Sequence, residues 1–517
     1  QQIRTITVSL IGQFYENEFG KLYFEKGITT YPSLDEEIMI PTQNQLNLIL
    51  NEASDNCELI SIGKAYSNSD ISINLDPVKL FSRHTAIVGS TGSGKSCTVT
   101  VLLRSLLERS TNNEFPICIF DINGEYSWAF KDQDNIQVIK FADTFPENFP
   151  SRIINRLDQV KINYRSFSRR TWRNILKPSE KTQIPAMNFA TDSMLYLGYK
   201  GSDIIIENIS DQDLKNKISE YDNKYFFEPL GGDVSEKNSV KIEEAYKLVG
   251  LLSGLTLNNA KIKDDAVEKK LPMDVLAKVI CDRWAIQKNK NGYEYNSFNY
   301  GYVSSLCDRI IELARDRLFN KCFDTNGYDG YSLNSIEEKL SQCRLLILDF
   351  SAVAQEYLPL IVDSILEQFL STALNGEYKN KPKLLVLDEA HHYLSGNNSS
   401  DTNAYLGTSP GERIAKEGRK FGLHLLISTQ RPRELSSTII SQIGTIISHA
   451  LTNEQDRNIL NSFGNYNDKG ILNEISVLPR REAIIIGHAV STPVRIKINY
   501  LPEKYRPESK DPLEKFF

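Results

Sequence analysis

The sequence predicts an α/β fold in which helices cover both faces of a parallel sheet. Short, almost wholly apolar segments recur along the chain, as expected for strands buried on both faces. They are HTAIVG, PICIFDI, RLLILDF, KLLVLDE, LHLLIST, GTIISHA and EAIIIGHAV. Amphipathic helices alternate with them. One covers Glu356–Leu374, where apolar side chains recur at spacings of three and four.

Composition, cysteine content and net charge limit the classes of protein to which the chain can belong. The chain has 517 residues, of which 40% are hydrophobic and 24% charged. No apolar run approaches the ~18 residues that a membrane-spanning helix needs, so we expect no membrane segment. Seven cysteines without a CxxC pair predict reduced thiols and a cytoplasmic location. Since the net charge is −6, contact with nucleic acid would require a local basic surface.

The chain divides into four predicted regions. Residues 1–76 contain short alternating apolar runs between Gly, Pro, Asn and Ser, which indicates a small β-barrel. Residues 77–149 and 336–500 form the α/β core. Residues 150–335 are mostly polar with a helical pattern, and we interpret them as a helical insertion. Residues 501–517 form a C-terminal tail that either braces a neighbouring subunit or is a frayed terminus.

A phosphate-binding loop follows the first core strand. GSTGSGKS fits the pattern G-x-x-x-x-G-K-[ST] in full, and it lies between a predicted strand and a predicted helix. In such a loop the backbone N–H groups surround a phosphate, the lysine reaches the β- and γ-phosphates of ATP, and the hydroxyl residue ligates Mg²⁺. The lysine is Lys95 and the hydroxyl residue is Ser96. The predicted nucleotide-contacting residues are Gly89, Ser90, Thr91, Gly92, Ser93, Gly94, Lys95, Ser96 and Cys97.

KLLVLDEAHHYL is predicted to supply the acids that accompany this loop. Four apolar residues lead directly into Asp388, expected in the Mg²⁺ shell, and Glu389, expected to polarise the attacking water. The letters D-E-A-H also mark a class of helicases, but that class needs a second P-loop-like domain, for which the chain offers no candidate. Zinc binding by His391 and His392 is disfavoured because adjacent helical residues point ~100° apart. A DNA contact, a subunit contact and a helix cap remain open for both.

Polar residues near other strands complete the predicted site. Gln430 ends LHLLISTQ and could hydrogen-bond the γ-phosphate or the water, or be a loop residue. Arg419, then Arg413, then Arg83 are our candidates for an arginine that acts on a neighbouring subunit's nucleotide, with surface ion pairs as the alternative. Glu125, in CIFDINGEYS, is a further candidate for supporting the metal shell or the water, or for stabilising a turn.

A basic segment is the predicted DNA contact. Residues 151–181 contain nine Lys or Arg against two acids, with aromatic residues between them. A basic band without a base-reading motif suits sequence-independent contact with phosphates. A solvated helix face or a contact between subunits would give the same composition. The DNA candidates are Arg165, Arg169, Arg170 and Arg173.

The motifs together resemble the HerA branch of the HerA/FtsK ATPases. They are RHTAIVGSTGSGKS, FDINGEY, RTWRNILKPSEKTQIPA, LLVLDEAHHYL, IAKEGRKFGLHLLISTQRP and SVLPRREAIIIGHAV, in this order. The resemblance covers nearly the whole chain and is weakest in residues 198–335. One departure is LPRREA (478–483), where many relatives have a small residue and Gly before the strand. Another is the long loop SGNNSSDTNAYLGTSPG, which is either a pore or partner-facing loop or a plain surface loop.

The resemblance implies a RecA-like P-loop ATPase core with an N-terminal β-barrel and a helical insertion. It also implies a homohexameric ring that hydrolyses ATP with Mg²⁺ at subunit interfaces and moves double-stranded DNA through its channel. Family members work with a nuclease or a sirtuin-like effector subunit, in DNA end processing or in defence against phage. The alternative is a nucleotide-gated scaffold that assembles and activates an effector nuclease without processive translocation.

Overall fold

The fold is known from a computed structural model. It describes residues 10–16, 18, 20, 22–33, 36–37, 39–51, 58–109, 114–141, 157–197, 204–205, 246–247, 249–250, 252–253, 261–262, 271–290, 292–326, 331–395, 408–460 and 469–507. Most of residues 198–270, the greater part of the long loop 395–411 and the end of the tail therefore lie outside the described residues.

The strands alternate with helices through the core. The strands before residue 200 are β1 (Gly12–Glu16), β2 (Leu22–Lys26), β3 (Ile60–Ala65), β4 (Ser72–Leu75), β5 (His84–Val88), β6 (Ile117–Asp121), β7 (Ile136–Lys140), β8 (Leu157–Gln159) and β9 (Ile162–Asn163). Those after it are β10 (Ile204–Ile205), β11 (Lys261–Ile262), β12 (Ile286–Asn289), β13 (Gly292–Tyr295), β14 (Phe323–Asp324), β15 (Leu345–Asp349), β16 (Lys383–Leu387), β17 (Leu423–Thr429), β18 (Ile443–Ser448), β19 (Glu482–Gly487) and β20 (Val494–Ile498).

The helices vary in length from one turn to almost five. In the first half of the chain they are α1 (Gln43–Leu50), α2 (Pro77–Ser82), α3 (Lys95–Arg109), α4 (Tyr126–Ala129), α5 (Arg169–Leu176) and α6 (Gln183–Leu197). In the second half they are α7 (Val275–Trp284), α8 (Ser297–Gly301), α9 (Ser304–Arg315), α10 (Arg317–Cys322), α11 (Leu333–Gln342), α12 (Leu358–Leu374), α13 (Pro410–Glu417), α14 (Ser437–Gln442), α15 (Glu454–Leu460) and α16 (Lys469–Asn473).

A twelve-stranded mixed sheet organises the molecule, in the order β4-β3-β20-β19-β18-β5-β17-β16-β6-β15-β7-β8. From β18 to β8 every neighbouring pair is parallel. From β18 to β4 every pair is antiparallel. The predicted α/β fold with a parallel sheet is therefore confirmed, and an antiparallel extension adds to it.

Side chains of each central strand alternate between two apolar layers. In β6, Ile117 and Ile119 pack with α3, whereas Cys118 and Phe120 pack with α12 on the other face. This alternation follows from the two-residue repeat of a strand. Both faces are therefore buried, which is why the core strands are almost wholly apolar.

The predicted N-terminal barrel is not confirmed in the part of residues 1–76 that is described. Strands β1 and β2 form a two-stranded hairpin of their own. Strands β3 and β4 instead join the central sheet, because β3 pairs with β20 from the far end of the sequence. Alternating apolar residues suit a sheet edge as well as a barrel, so the pattern alone could not separate the two.

The insertion predicted for residues 150–335 is likewise not confirmed as a separate helical unit. Its strand β8 pairs with β7 and extends the central sheet. Buried residues of α5, α6, α7 and α9 belong to the same apolar cluster as one face of β6 and β16. Much of this region is thus packed onto the sheet, whereas β12 and β13 form a separate hairpin.

The described part of the C-terminal tail contacts its own chain. The guanidinium carbon of Arg104, on α3, lies 4.1 Å from the centre of the Tyr505 ring. Arg104 also pairs with Asp132 at 2.8 Å. No helix within the described ranges is long and apolar enough to cross a bilayer.

A buried ion pair between adjacent strands should matter for stability. Lys140 Nζ lies 3.0 Å from Asp349 Oδ2, and both side chains are buried. We expect Lys140→Met to lower the free energy of unfolding by about 3 kcal/mol, because the Asp349 carboxylate stays buried without its cation. Urea unfolding followed by circular dichroism measures this change.

The matched control is an exposed pair. Arg109 lies 3.0 Å from Glu58 with both side chains largely exposed, so Arg109→Met should cost less than about 1 kcal/mol. Equal effects of the two substitutions would contradict a structural role for the buried pair.

Candidate functional site: the phosphate loop and its acids

The predicted phosphate loop connects β5 to α3. Gly92 and Gly94 have φ values of +72° and +113°, in the region that favours glycine. The Ser90 N–H donates to the Ala450 carbonyl oxygen at 2.8 Å, which fixes the loop against the segment after β18. The loop thus opens a helix N-terminus, as a phosphate cradle requires.

Four side chains from three strand ends meet beside this loop. Lys95 Nζ lies 3.9 Å from Glu389 Oε1. The Gln430 amide donates to the same Glu389 oxygen, and the Thr91 hydroxyl donates to Gln430 Oε1. The loop lysine, the acid of β16 and the glutamine of β17 therefore form one connected group.

Glu389 has a strained backbone. Its φ and ψ are 42° and 45°, the left-handed conformation that a residue with a Cβ seldom adopts. The short 3₁₀ turn Ala390–His392 begins at this point. The turn takes the chain sharply out of β16 and leaves the Glu389 carboxylate beside Lys95 and Gln430.

Asp388 is enclosed at the sheet edge. Burial, and then the neighbouring Glu389 carboxylate, raise the pKa of Asp388 to about 7. Its Oδ2 atom is buried, and no hydrogen-bond partner for it is found among the described residues. An oxygen in this situation is a suitable ligand for a divalent cation.

Glu125 belongs to the same side of the site. The Ser96 side chain lies near its carboxylate, and burial raises the Glu125 pKa above its usual value. The turn that carries Glu125 is held by Asp121, which accepts from the backbone N–H groups of Gly124 at 2.8 Å and Tyr126 at 2.9 Å. Ser96, Asp388 and Glu125 therefore fit as surroundings for Mg²⁺.

His391 lies within the site, a position that the sequence pattern did not predict for it. Its Nδ1 lies 3.4 Å from Glu389 Oε2 and within hydrogen-bond distance, 3.2 Å, of the Thr429 hydroxyl. Burial lowers the pKa of His391. Only the spacing of two residues from Glu389 could have indicated this position. Its ring is 4.2 Å from that of His392, and the described residues contain no metal-holding group of three or more His, Cys, Asp or Glu.

His449 is a second such residue, and it lies beneath the phosphate loop. Its Nδ1–H donates to the Glu482 carbonyl oxygen at 2.8 Å, which leaves Nε2 to accept from the Thr98 hydroxyl at 2.8 Å. A methyl group added at Gly89 would stand 2.6 Å from the His449 Cβ atom. The pattern GTIISHA predicted a strand, but no local signal placed that strand beside β5.

Of the three arginines considered for action between subunits, Arg83 and Arg419 lie at the other end of the sheet. Arg83 directly precedes β5, and Arg419 lies four residues before β17, whereas the phosphate loop and Gln430 follow these strands. Arg419 donates to the Ser82 carbonyl oxygen, and Arg413 pairs with Glu417 at 3.3 Å. All three side chains are exposed.

The basic segment is more firmly built into the fold than its composition indicates. Arg169 pairs with Asp192, Arg165 donates to the Met194 carbonyl oxygen, and Arg170 donates to the Thr408 carbonyl oxygen. Arg173 is half-buried on α5. The aromatic residues between them are buried in the core and so are not available for stacking on bases: Tyr164, Phe167 and Trp172.

The buried His449 should make the protein sensitive to acid. Burial lowers its pKa to about 4, against 6.5 in the unfolded chain. The unfolded chain therefore binds the proton first, and stability present above pH 6.5 is lost as the pH falls toward 4, by up to about 3 kcal/mol.

We expect His449→Asn to lose less stability than the unsubstituted chain between pH 6.5 and 4. Urea midpoints at a series of pH values test this, because the difference between the two proteins removes the contribution of the carboxylates. Parallel pH profiles would show that His449 does not titrate as described.

Comparison with known proteins gives a consistent result. The family model described as "Helicase HerA, central domain" matches residues 60–369. The chain is 24% identical over 475 residues to the "DNA double-strand break repair helicase HerA" of Sulfurisphaera tokodaii, covering 90% of this chain and 74% of the relative. It is 25% identical over 510 residues to the helicase of the same name from Sulfolobus acidocaldarius, covering 96% and 81%.

Solved structures match at lower similarity. The bacterial conjugative coupling protein TrwBdeltaN70 is 13% identical with a TM-score of 0.48, covering 86% of this chain and 89% of that one. VirB4 of Thermoanaerobacter pseudethanolicus is 14% identical with a TM-score of 0.46, covering 88% and 100%. The family assignment rests on the sequence match and not on these structures. Because the family model spans more than half of it, the chain belongs to the HerA helicase family and is a P-loop ATPase.

Proposed function

We propose that the chain forms a homohexameric ring that hydrolyses ATP with Mg²⁺ at its subunit interfaces and translocates double-stranded DNA. The observation that carries this proposal is the connected group of Lys95, Glu389 and Gln430 beside the phosphate loop. The relatives from Sulfurisphaera tokodaii and Sulfolobus acidocaldarius are DNA double-strand break repair helicases, which supports DNA as the substrate of movement.

The residues divide the hydrolytic step among them. Lys95 and the loop N–H groups hold the β- and γ-phosphates, which lowers the cost of the charge that develops on them. Glu389 accepts a hydrogen bond from the attacking water and orients it toward the γ-phosphorus. Gln430 lies at the end of β17, donates a hydrogen bond to Glu389 and contacts the γ-phosphate.

Ser96 and Asp388 would hold Mg²⁺, with Glu125 near Ser96. A bound cation would supply positive charge that offsets the charge of the phosphates. The buried Asp388 Oδ2 supports this role, since a buried carboxylate oxygen without a donor is costly unless a cation accompanies it.

The placement of the arginines favours an interface site. Arg83 and Arg419 lie near the amino ends of β5 and β17, opposite the end where ATP binds. A strand of five to seven residues at about 3.3 Å per residue separates the two ends, so neither side chain reaches its own loop. Either can reach a neighbour's loop only if subunits pack head to tail, which is the arrangement of a ring.

Our proposals for the DNA contact and for the partner rest on charge and on the resemblance to the family. Duplex DNA held by phosphates needs a positive lining, for which Arg165, Arg169, Arg170 and Arg173 are our candidates. We propose a nuclease or sirtuin-like effector as the partner, in DNA end processing or phage defence. A scaffold that switches an effector nuclease without moving along DNA is the competing function.

Replacing the catalytic carboxylate should separate binding from hydrolysis. We expect Glu389→Gln to reduce DNA-stimulated ATP hydrolysis by about 100-fold or more, because the amide cannot accept the water's proton. Nucleotide affinity should change little. Phosphate release and titration with a labelled nucleotide measure the two effects.

Movement is tested on a tethered duplex. The unsubstituted chain should advance along DNA with ATP, and Glu389→Gln should bind and remain in place. A chain that hydrolyses ATP but never advances would favour the scaffold. Full hydrolysis by Glu389→Gln would mean that another group is the base.

Mixing two inactive variants tests the arginines. Lys95→Ala lacks a working phosphate loop, and Arg419→Ala lacks our first candidate for the trans arginine. In a mixed ring some interfaces combine the intact loop of one subunit with the intact arginine of the next. We therefore expect the mixture to regain ATP hydrolysis that neither variant has alone.

The same mixture with Arg413→Ala or Arg83→Ala ranks the other candidates. Full activity of Arg419→Ala on its own would remove Arg419 from the site. An inactive Arg419→Ala that the mixture does not rescue would place its effect within a single subunit.

A further inference from the structure

The segment LPRREA (478–483), where the sequence departs from the family pattern, lies directly against the phosphate loop. The Arg481 N–H donates to the Ser93 carbonyl oxygen at 3.4 Å. A methyl group added at Gly92 would stand 3.7 Å from Nη2 of Arg480. The guanidinium of Arg480 thus borders the part of the loop that surrounds phosphate.

Several contacts hold this segment in place. Arg481 has a φ of +67°, so the chain turns sharply immediately after Arg480. The next residue, Glu482, accepts a hydrogen bond from His449 at its carbonyl oxygen. Its carboxylate accepts from Arg495 at 2.7 Å, and Arg495 also pairs with Glu474 at 2.7 Å. A side chain on such a support loses little further freedom when it binds a ligand.

The arginines around the loop differ in which groups their guanidinium groups contact. Arg495 is committed to two carboxylates, and the Arg481 guanidinium lies 5.1 Å from the centre of the Tyr500 ring. Arg480 is exposed, and no described carboxylate forms an ion pair with it. Its donors therefore face solvent at the rim of the loop.

The two flanks of the loop carry complementary groups. On one flank Thr91 contacts Gln430, which leads to Glu389. On the other flank Gly92 faces Arg480. An arginine fork beside a phosphate-binding loop matches the geometry of phosphate oxygens, which it can bind through two N–H donors.

We propose that Arg480 binds the phosphate chain of the ATP held by its own subunit. This rests on the proposed function, since it requires ATP in the loop that begins at Gly89. Arg480 acts within the subunit, on the flank away from Gln430, and adds to the charge of Lys95 and of an arginine from the neighbouring subunit. Gly92, with a φ of +72°, keeps the loop in the conformation that faces the guanidinium.

Nucleotide titration of the full chain tests this proposal. A non-hydrolysable, mant-labelled ATP analogue with Mg²⁺ serves as the probe. We expect Arg480→Ala to raise the dissociation constant about tenfold, the effect of losing a charge-assisted hydrogen bond, and Arg480→Lys to restore part of the affinity. The KM for ATP should rise in parallel.

Arg109→Ala is the matched control. It removes an exposed arginine at the far end of the helix that follows the loop, where its partner is Glu58, and affinity should remain that of the unsubstituted chain. Melting temperatures of all variants show whether each is folded.

The outcomes are distinct. If the unsubstituted chain binds the analogue and folded Arg480→Ala binds it equally well, the Arg480 proposal is overturned and the proposed function stands. If the unsubstituted chain itself fails to bind nucleotide, the proposed function fails and the Arg480 proposal fails with it. A lower affinity of Arg480→Ala that lysine partly restores supports a direct charge contact.

Discussion

Parallel pairing of β5, β17, β16 and β6 is the constraint on which the site depends. The register aligns Thr429 with Val88 and Leu387 with Phe120. Each strand then ends at the same edge and delivers its next residues there, which are the loop from Gly89, Gln430, and the pair Asp388–Glu389. A shift of one residue in any pair would turn these side chains to the other face of the sheet.

The same alignment brings three aspartate side chains together at the sheet edge, and each has different partners. Asp121 accepts backbone N–H groups, although burial and then Asp349 raise its pKa well above the usual value. Asp349 has Lys140 as its cation. Asp388 has a buried oxygen without a described donor. These differences are consistent with our proposal that Asp388, rather than Asp121 or Asp349, ligates Mg²⁺.

What the sequence could predict depended on how local the signal was. The phosphate loop, the strand ending in Asp388 and Glu389, and the strand before Gln430 are continuous segments whose patterns specify strand, turn and helix. The position of His449 could not be predicted, because it depends on β18 pairing with β5 across distant parts of the chain. Trp172 was assigned to a basic surface by its neighbours in sequence, yet the free energy of burying an indole ring places it in the core.

The pairing of β5 has a consequence for the synthesis of the protein on the ribosome. Its neighbours, β17 and β18, are synthesised only after residue 422, and β3 waits still longer for β20. The strand that carries the phosphate loop therefore spends most of translation with both edges unpaired and with its apolar residues exposed. Strands in this condition are prone to pair with other chains. The nascent chain is therefore expected to be most prone to aggregation before β17 and β18 have been synthesised.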